Sequence, residues 1–179
     1  MLPPGRLRVL DVGCGNGALA GALSTLGHDV SGVDESESGI QQARLAWPQV
    51  YFSVRSCYAD LGGPYDLVIA TEVIEHLYAP STALRRIRAA LTPEGHAILS
   101  TPYHGYLKNL ALSVAGKWDS HHTVHWEGGH VKFFSKRTLR TMLVSVGFDE
   151  RIEFRGAGRF PLFWKSMVCR ARRNGQNCV

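Results

Sequence analysis

The sequence lacks long apolar runs, and this absence excludes a membrane-spanning protein. No stretch of the 179 residues approaches the roughly 18 uninterrupted apolar residues that a transmembrane helix needs. Met1 is followed by Pro3 and Pro4 rather than by a basic segment with an apolar core, so no secretory leader is expected. Internal repeats and low-complexity blocks are also absent. These features predict a single globular domain in a cytoplasmic protein.

Cysteine is scarce, and its spacing excludes two further classes of protein. Cys14, Cys57, Cys169 and Cys178 are scattered and include no Cys-x-x-Cys pair. A cysteine-based zinc site and a disulfide framework are therefore not predicted, and a reducing compartment is the simpler assumption.

Acidic residues are scarce at the C-terminal end of the chain. Residues 151–179 contain one acidic side chain, Glu153, and seven basic ones: Arg151, Arg155, Arg159, Lys165, Arg170, Arg172 and Arg173. We predict one domain over residues 1–169 and a disordered basic tail over 170–179. The apolar segment 160–164 has two interpretations, an edge strand, which we favour, or peripheral contact of residues 160–173 with anionic lipid or phosphate.

A glycine-rich loop is the most informative feature that the sequence does contain. An apolar strand ends at Asp11 and runs into Gly13, Gly15 and Gly17, after which a helix is expected from about Ala18. Glycines at this spacing let the backbone turn tightly and approach a ligand closely. The spacing differs from the Gly-x-Gly-x-x-Gly of dinucleotide sites, and a carboxylate before the loop suits a cation rather than a pyrophosphate.

A second carboxylate follows at the distance expected for a nucleoside site. Residues 28–34 are predicted to form a strand that ends at Asp34, where a carboxylate can accept both hydroxyls of a ribose. The alternative is that Asp34 only caps the helix that begins near Ser36. Together with the glycine loop, the pattern favours the nucleoside interpretation.

These two motifs resemble those of the class I S-adenosylmethionine-dependent methyltransferases, and the resemblance covers residues 7–169. It implies an α/β fold of the Rossmann-like, doubly wound type, with a mostly parallel seven-stranded sheet and an antiparallel closing hairpin. It also implies that S-adenosylmethionine is the cofactor. The positions that correspond to its binding residues are Asp11, Gly13, Cys14, Gly15, Asp34, Glu35, Cys57, Tyr58 and Thr71.

The remaining sequence shows the alternation of strands and helices that this fold requires. Strands are predicted over 50–54, 65–71, 95–100, 148–154 and 162–169, and helices over 18–26, 81–91 and 135–146. No regular structure is predicted over residues 102–134.

Two features depart from the family pattern. The first strand begins close to Met1, whereas relatives carry one or two helices before it that close over the cofactor, so we expect another element to supply the lid or the lid to be missing. In addition, Cys57 stands where an acidic residue near the adenine is expected. Asp60 is the candidate to compensate.

Candidate chemistry lies directly after the fourth strand. Glu72, Glu75 and His76 are spaced i, i+3 and i+4, which places them on one side of a single helical turn. Two converging carboxylates and an imidazole would be stabilised by a divalent cation such as Mg²⁺. The alternative is that Glu72 contacts cofactor or solvent, Glu75 lies at the surface and His76 packs or caps.

A histidine-rich segment downstream favours the metal interpretation. His104, His121, His122, His125 and His130 all lie in the stretch without predicted regular structure. A Glu-x-x-Glu-His turn followed by a distant histidine resembles the ubiquinone-pathway O-methyltransferases and the small-RNA 3′-terminal 2′-O-methyltransferases. The resemblance implies that Glu72, Glu75, His76 and His130 hold a divalent ion, and that Glu75, His76 and His130 act in catalysis.

The sequence therefore predicts metal-assisted O-methylation of a small-molecule hydroxyl, either phenolic, quinone-like or on a sugar. RNA 2′-O-methylation is the alternative enzyme function, and nucleic acid is disfavoured because the basic segment has few interleaved aromatics. A non-catalytic domain that binds the cofactor and acts as a partner is the third interpretation. The sequence does not predict the oligomeric state.

Overall fold

The structure is a computed structural model that describes residues 5–117, 129–157 and 164–175. In these ranges the chain forms a seven-stranded sheet of order β3-β2-β1-β4-β5-β7-β6. The strands are β1 (Arg8–Val12), β2 (Asp29–Asp34), β3 (Tyr51–Val54), β4 (Tyr65–Thr71), β5 (Leu91–Pro102), β6 (Glu153–Ala157) and β7 (Ser166–Arg172). The first five run parallel, and β7 lies antiparallel between β5 and β6. The predicted doubly wound sheet with an antiparallel closing pair is confirmed.

Helices cover both faces of the sheet. They are α1 (Ala18–Thr25), α2 (Glu37–Ala46), α3 (Pro80–Ala90), α4 (Tyr106–Val114) and α5 (Lys136–Ser145). Local sequence explains several of their ends. Gly17 precedes α1 with a φ of 75°, the Ser36 hydroxyl accepts a hydrogen bond at the start of α2, and Ser135 and Thr138 form a capping box before α5.

Two apolar clusters fill the space between the sheet and its helices. One packs α1 and α2 against the sheet and includes Leu23, Ile40 and Phe52. The other packs α3 and α5 against the opposite face and includes Leu84 and Leu139. Because both clusters fix the sheet, the carboxyl ends of β1, β2, β4 and β5 are held at a common edge, where ligands bind in doubly wound folds.

Several predicted boundaries are wrong. Residues 106–114, expected to be irregular, form α4, and the closing pair is shifted toward the C-terminus relative to the predicted strands. In β7, Arg170 pairs with Ile98 and Arg172 with His96 of β5, so the first residues of the predicted basic tail belong to the sheet. Residues 176–179 of that tail lie outside the described ranges. Among the helices of those ranges, none is long and apolar enough to cross a membrane.

Candidate active site

The glycine loop after β1 is held against the end of β2. The backbone N–H groups of Gly13 and Cys14 donate to the Val33 carbonyl oxygen at 2.8 and 3.1 Å. Gly13 has a φ of 72°, and a Cβ atom at this position would lie 2.5 Å from Cγ2 of Val73. The loop therefore requires glycine here both for its backbone conformation and for its close approach to the turn after β4.

Asp34 connects the glycine loop to α2. Its Oδ2 accepts a hydrogen bond from the Gly15 N–H at 2.9 Å, and its Oδ1 accepts one from the Ser36 N–H at 2.8 Å. A carboxylate has about four acceptor positions, so two remain available for ribose hydroxyls. The helix-start role and the predicted nucleoside role are thus compatible at Asp34.

Asp11 lies buried beneath the loop. Its side chain is 1% exposed, and neither carboxylate oxygen makes a hydrogen bond with the described residues. Burial, with a further contribution from the charge of Asp34, raises the pKa of Asp11 to about 7. A cation bound at the loop would stabilise the ionised form, which fits the ammonium group at the amino-acid end of S-adenosylmethionine.

A cleft of about 330 Å³ opens beside the loop. Its walls include four of the predicted cofactor residues: Gly13, Asp34, Glu35 and Cys57. The other five predicted cofactor residues, Asp11, Cys14, Gly15, Tyr58 and Thr71, do not line it. The cleft continues past Glu72 to His76, so the predicted cofactor site and the predicted catalytic turn share one cavity.

Four residues of the cleft wall were missed by the sequence analysis: Val12, Arg55, Val73 and Leu77. Arg55 follows β3 directly, and its guanidinium donates to the Asp60 carbonyl at 3.0 Å. Its position at the carboxyl end of a strand is the signal that could have identified it.

Cys57 lies in the cleft as a neutral thiol. Burial, followed by the charge of Glu35, raises the pKa of Cys57 to about 11. The wall at this position therefore presents a weak hydrogen-bond donor instead of the carboxylate that the family pattern leads one to expect.

The turn after β4 differs from the predicted single helical turn. Only Ile74–His76 form a short 3-10 helix, and Glu72 precedes it with a left-handed backbone, φ 55°. The Oε1 atom of Glu72 accepts a hydrogen bond from the Ser100 hydroxyl at 2.7 Å. The expectation that Glu72, Glu75 and His76 share one helical face is wrong, because Glu72 has a left-handed backbone and lies outside the short helix.

Glu75 points into the protein rather than to the surface. It is fully buried, and its two carboxylate oxygens make no hydrogen bond with the described residues. Burial, to which the charge of Glu72 adds, raises the pKa of Glu75 to about 7. A buried carboxylate of this kind is stabilised by a cation.

His130 lies against the turn that follows β4. Potential ligand atoms of Glu75, His76 and His130 all lie within 4.8 Å of one another, and the two imidazole rings are 4.9 Å apart with an edge-on geometry. The N–H groups of Val131 and Lys132 both donate to the Glu75 carbonyl oxygen at 2.9 Å, which fixes the segment against the turn.

Three of the four predicted metal ligands are therefore together, and Glu72 lies outside this group. Bonds from histidine or carboxylate to a divalent ion are about 2 Å long, so the three side chains need only a small adjustment to share one. The buried Glu75 carboxylate, which has no hydrogen-bond partner in the described part of the chain, and two imidazoles fit such an ion by charge and by ligand type.

The other histidines of the segment differ in what the structure describes. His104 follows β5, its N–H donates to the Phe134 carbonyl at 3.3 Å, and its ring contacts Phe133 edge-on at 4.9 Å. His121, His122 and His125 lie outside the described residues.

The basic C-terminal segment is partly integrated into the fold. Arg170 donates to Nε2 of His96 at 3.0 Å, and Arg172 pairs with Glu94. Trp164 is half-buried, with the Tyr103 ring 5.5 Å away and the Lys136 ammonium 4.3 Å above it. Residues 160–163, which were expected to form an edge strand or a peripheral contact, lie outside the described ranges.

The sheet order, the glycine loop and the acidic end of β2 together define a class I methyltransferase. The methyltransferase domain family matches residues 2–150, and the chain belongs to that family. The prediction that the chain is an S-adenosylmethionine-dependent methyltransferase is confirmed.

The relatives that match by sequence carry a more specific name. The ubiquinone biosynthesis O-methyltransferase of Bradyrhizobium diazoefficiens is 36% identical over 132 residues, which cover 68% of this chain and 52% of the relative. Its counterpart in Roseobacter denitrificans is 31% identical over 168 residues, covering 88% of this chain and 66% of the relative. The chain thus spans between about half and two thirds of the length of these relatives.

Solved structures share the fold. The magnesium protoporphyrin IX methyltransferase of Synechocystis, solved with bound S-adenosylhomocysteine (SAH), has a TM-score of 0.72 at 24% identity. The match covers 96% of this chain and 75% of the Synechocystis chain. An S-adenosylmethionine-dependent methyltransferase of Mesorhizobium loti has a TM-score of 0.73 at 20% identity, and the match covers 96% of this chain and 94% of the Mesorhizobium chain.

Proposed function

We propose that this chain transfers a methyl group from S-adenosylmethionine to a hydroxyl of a small molecule, with a divalent ion held by Glu75, His76 and His130. The observation that carries the proposal is that potential ligand atoms of these three side chains lie within 4.8 Å of one another, with His76 in the wall of the cleft. The O-methyltransferase names of the sequence relatives support the choice of a hydroxyl acceptor.

We assign different roles to the residues near the two ends of the cleft. Beneath the glycine loop, Asp11 would supply negative charge once a bound cation stabilises its ionised form, and Asp34 would offer acceptors to a ribose. At the other end, Glu75 and the two imidazoles would hold the ion, and His76 faces the cavity. A bound divalent ion would supply Lewis-acid activation of the acceptor hydroxyl. The chain then contributes mainly alignment of the acceptor with the methyl group.

The RNA alternative receives less support from the structure. It relied on the basic C-terminal segment as a free surface, but Arg170 and Arg172 are in β7 and are engaged by His96 and Glu94. The small-molecule acceptor is therefore the function we put forward.

The test compares metal binding and turnover in the wild type and in His130→Ala. Titration with Mn²⁺, followed by electron paramagnetic resonance, should show an affinity at least about tenfold lower in the variant, because even the loss of a residue that only supports a metal ligand typically costs about 10- to 100-fold. Affinity for SAH, measured by calorimetry, should stay within about twofold, since His130 does not line the cofactor end of the cleft.

Two controls make the result decisive. His121→Ala and His122→Ala should retain the wild-type affinity for Mn²⁺. Excess chelator should abolish methyl transfer to a catechol probe without releasing SAH. Full transfer in excess chelator would refute the role of the metal and would leave a histidine acting as a simple general base.

A further inference from the structure

Ser100 makes three hydrogen bonds with one residue of the active-site turn. It lies in β5 opposite Thr71 of β4 and is 7% exposed. Its hydroxyl donates to Oε1 of Glu72 at 2.7 Å and accepts from the Glu72 N–H at 3.1 Å. The Ser100 carbonyl accepts from the same N–H at 3.1 Å.

The residue that Ser100 holds has an unfavourable backbone. Glu72 is the sole non-glycine residue with a positive φ among those that the structure describes. A left-handed conformation is costly for a residue with a Cβ, and glycine is the usual solution. Such a conformation persists only where the surroundings hold it, and the contacts with Ser100 provide that constraint.

The direction of the chain at Glu72 decides where the next residues lie. Directly after it, Val73 packs over Gly13, Glu75 is buried and His76 reaches the cleft. We propose that Ser100 is a positioning residue for methyl transfer, which holds Glu72 in its left-handed conformation and thereby orients Glu75 and His76 toward His130. The part of this inference that concerns metal affinity rests on the proposed function.

The first experiment removes the hydroxyl and compares the result with a matched change elsewhere. Ser100→Ala should lower the affinity for Mn²⁺ by about tenfold or more and reduce kcat for a catechol probe by a similar factor, as expected for a lost hydrogen bond to a carboxylate. Affinity for SAH should change less than about twofold. Ser53→Ala is the control, because the Ser53 hydroxyl is buried in β3 and makes no hydrogen bond with the described residues.

A double-mutant cycle separates positioning from general stability. Glycine adopts a positive φ freely, so in a Glu72→Gly background Ser100→Ala should cause less than about a twofold further loss of kcat and of Mn²⁺ affinity. Ser100→Thr, which keeps the hydroxyl, should restore Mn²⁺ affinity toward the wild type. A thermal melt of each variant identifies any that fails to fold.

The outcomes are distinct. Equal effects of Ser100→Ala in the wild-type and Glu72→Gly backgrounds, or full activity of Ser100→Ala, would overturn the proposal. If the wild type binds no Mn²⁺, the proposed function loses its metal, and the coupling of the two substitutions in kcat alone decides the role of Ser100.

Discussion

Two carboxyl groups, Asp11 and Glu75, are buried in the two halves of the site and make no hydrogen bond with any residue that the structure describes. Burial raises the pKa of each to about 7, so a proton or a cation must offset the cost of ionisation. Under the proposed function, Asp11 would be ionised by the positively charged cofactor and Glu75 by the divalent ion. Without a ligand, ionisation of these two buried groups should lower the free energy of unfolding of the chain.

The titration of Asp11 predicts how that stability depends on pH. The folded chain keeps the Asp11 proton up to about pH 7, whereas an ordinary aspartate loses it near pH 3.8. Between these values the unfolded state binds fewer protons, so the free energy of unfolding should fall as pH rises, by roughly 4 kcal/mol at most from this group. Urea unfolding from pH 4 to pH 8 measures the slope.

Asp11→Asn should flatten the part of this slope that Asp11 contributes. Glu37→Gln, which changes an exposed carboxylate in the first turn of α2, should retain the wild-type slope. A wild-type slope in Asp11→Asn would show that the group does not titrate in this range.

At the scale of elements, the structure joins the glycine loop to the turn after β4. The contact between Gly13 and Val73 makes these two motifs neighbours as well as parts of one cleft. The glycine pattern predicted the loop itself, because the backbone conformation of glycine is a local property. It could not predict the partner, because Val73 comes from a different strand end.

The Gly13 contact can be tested against a glycine that shares its strain but has no neighbour. Gly13→Ala should lower the free energy of unfolding by about 1–3 kcal/mol and weaken SAH binding, because the new methyl group meets Val73 and the φ is positive. Gly27→Ala is the control, since its φ is 90° and no atom lies within 4 Å of the added Cβ.

For both variants, calorimetry measures the affinity for SAH and urea unfolding measures the free energy of unfolding. Gly27→Ala should lose stability and retain SAH affinity. Adding Val73→Ala to Gly13→Ala should recover part of the stability. Equal SAH affinities in Gly13→Ala and the wild type would contradict a rigid loop.

Sequence periodicity predicted the parallel strands better than the closing pair. The run Tyr65–Thr71 is apolar and bounded by turn residues, so it was assigned with its observed limits. β7 alternates half-buried and buried residues up to Arg172, which is exposed, whereas the basic charge alone suggested a tail. Pairing with β5 decides that boundary, and such long-range pairing is not visible in local composition. The left-handed Glu72 was missed for the same reason, since the residue that holds it is in β5.

At the scale of the whole molecule, the chain completes its sheet with residues near its C-terminal end. β7 inserts between β5 and β6, and Ala171 within it is fully buried. Arg170 and Arg172 therefore belong to a structural strand. Residues 170–172 are thus part of the sheet rather than of an appended basic tail.

Truncation tests the distinction. A chain that ends at Gly175 should melt within about 2 °C of the full chain, whereas one that ends at Cys169 should lose several hydrogen bonds of the β5–β7 ladder and unfold at a much lower temperature. Circular dichroism melts of both truncated chains measure the difference. Equal melting temperatures would support the tail interpretation.

The two amide hydrogen bonds from Val131 and Lys132 to the Glu75 carbonyl have a kinetic consequence. Their donors and acceptor are distant in sequence, so closing this loop costs entropy that local contacts cannot repay early in folding. Assembly of the proposed metal site should therefore be a late event, after the parallel strands have paired. Hydrogen exchange at these two backbone amides would follow that step without any ligand, because their protection begins only when the downstream segment docks.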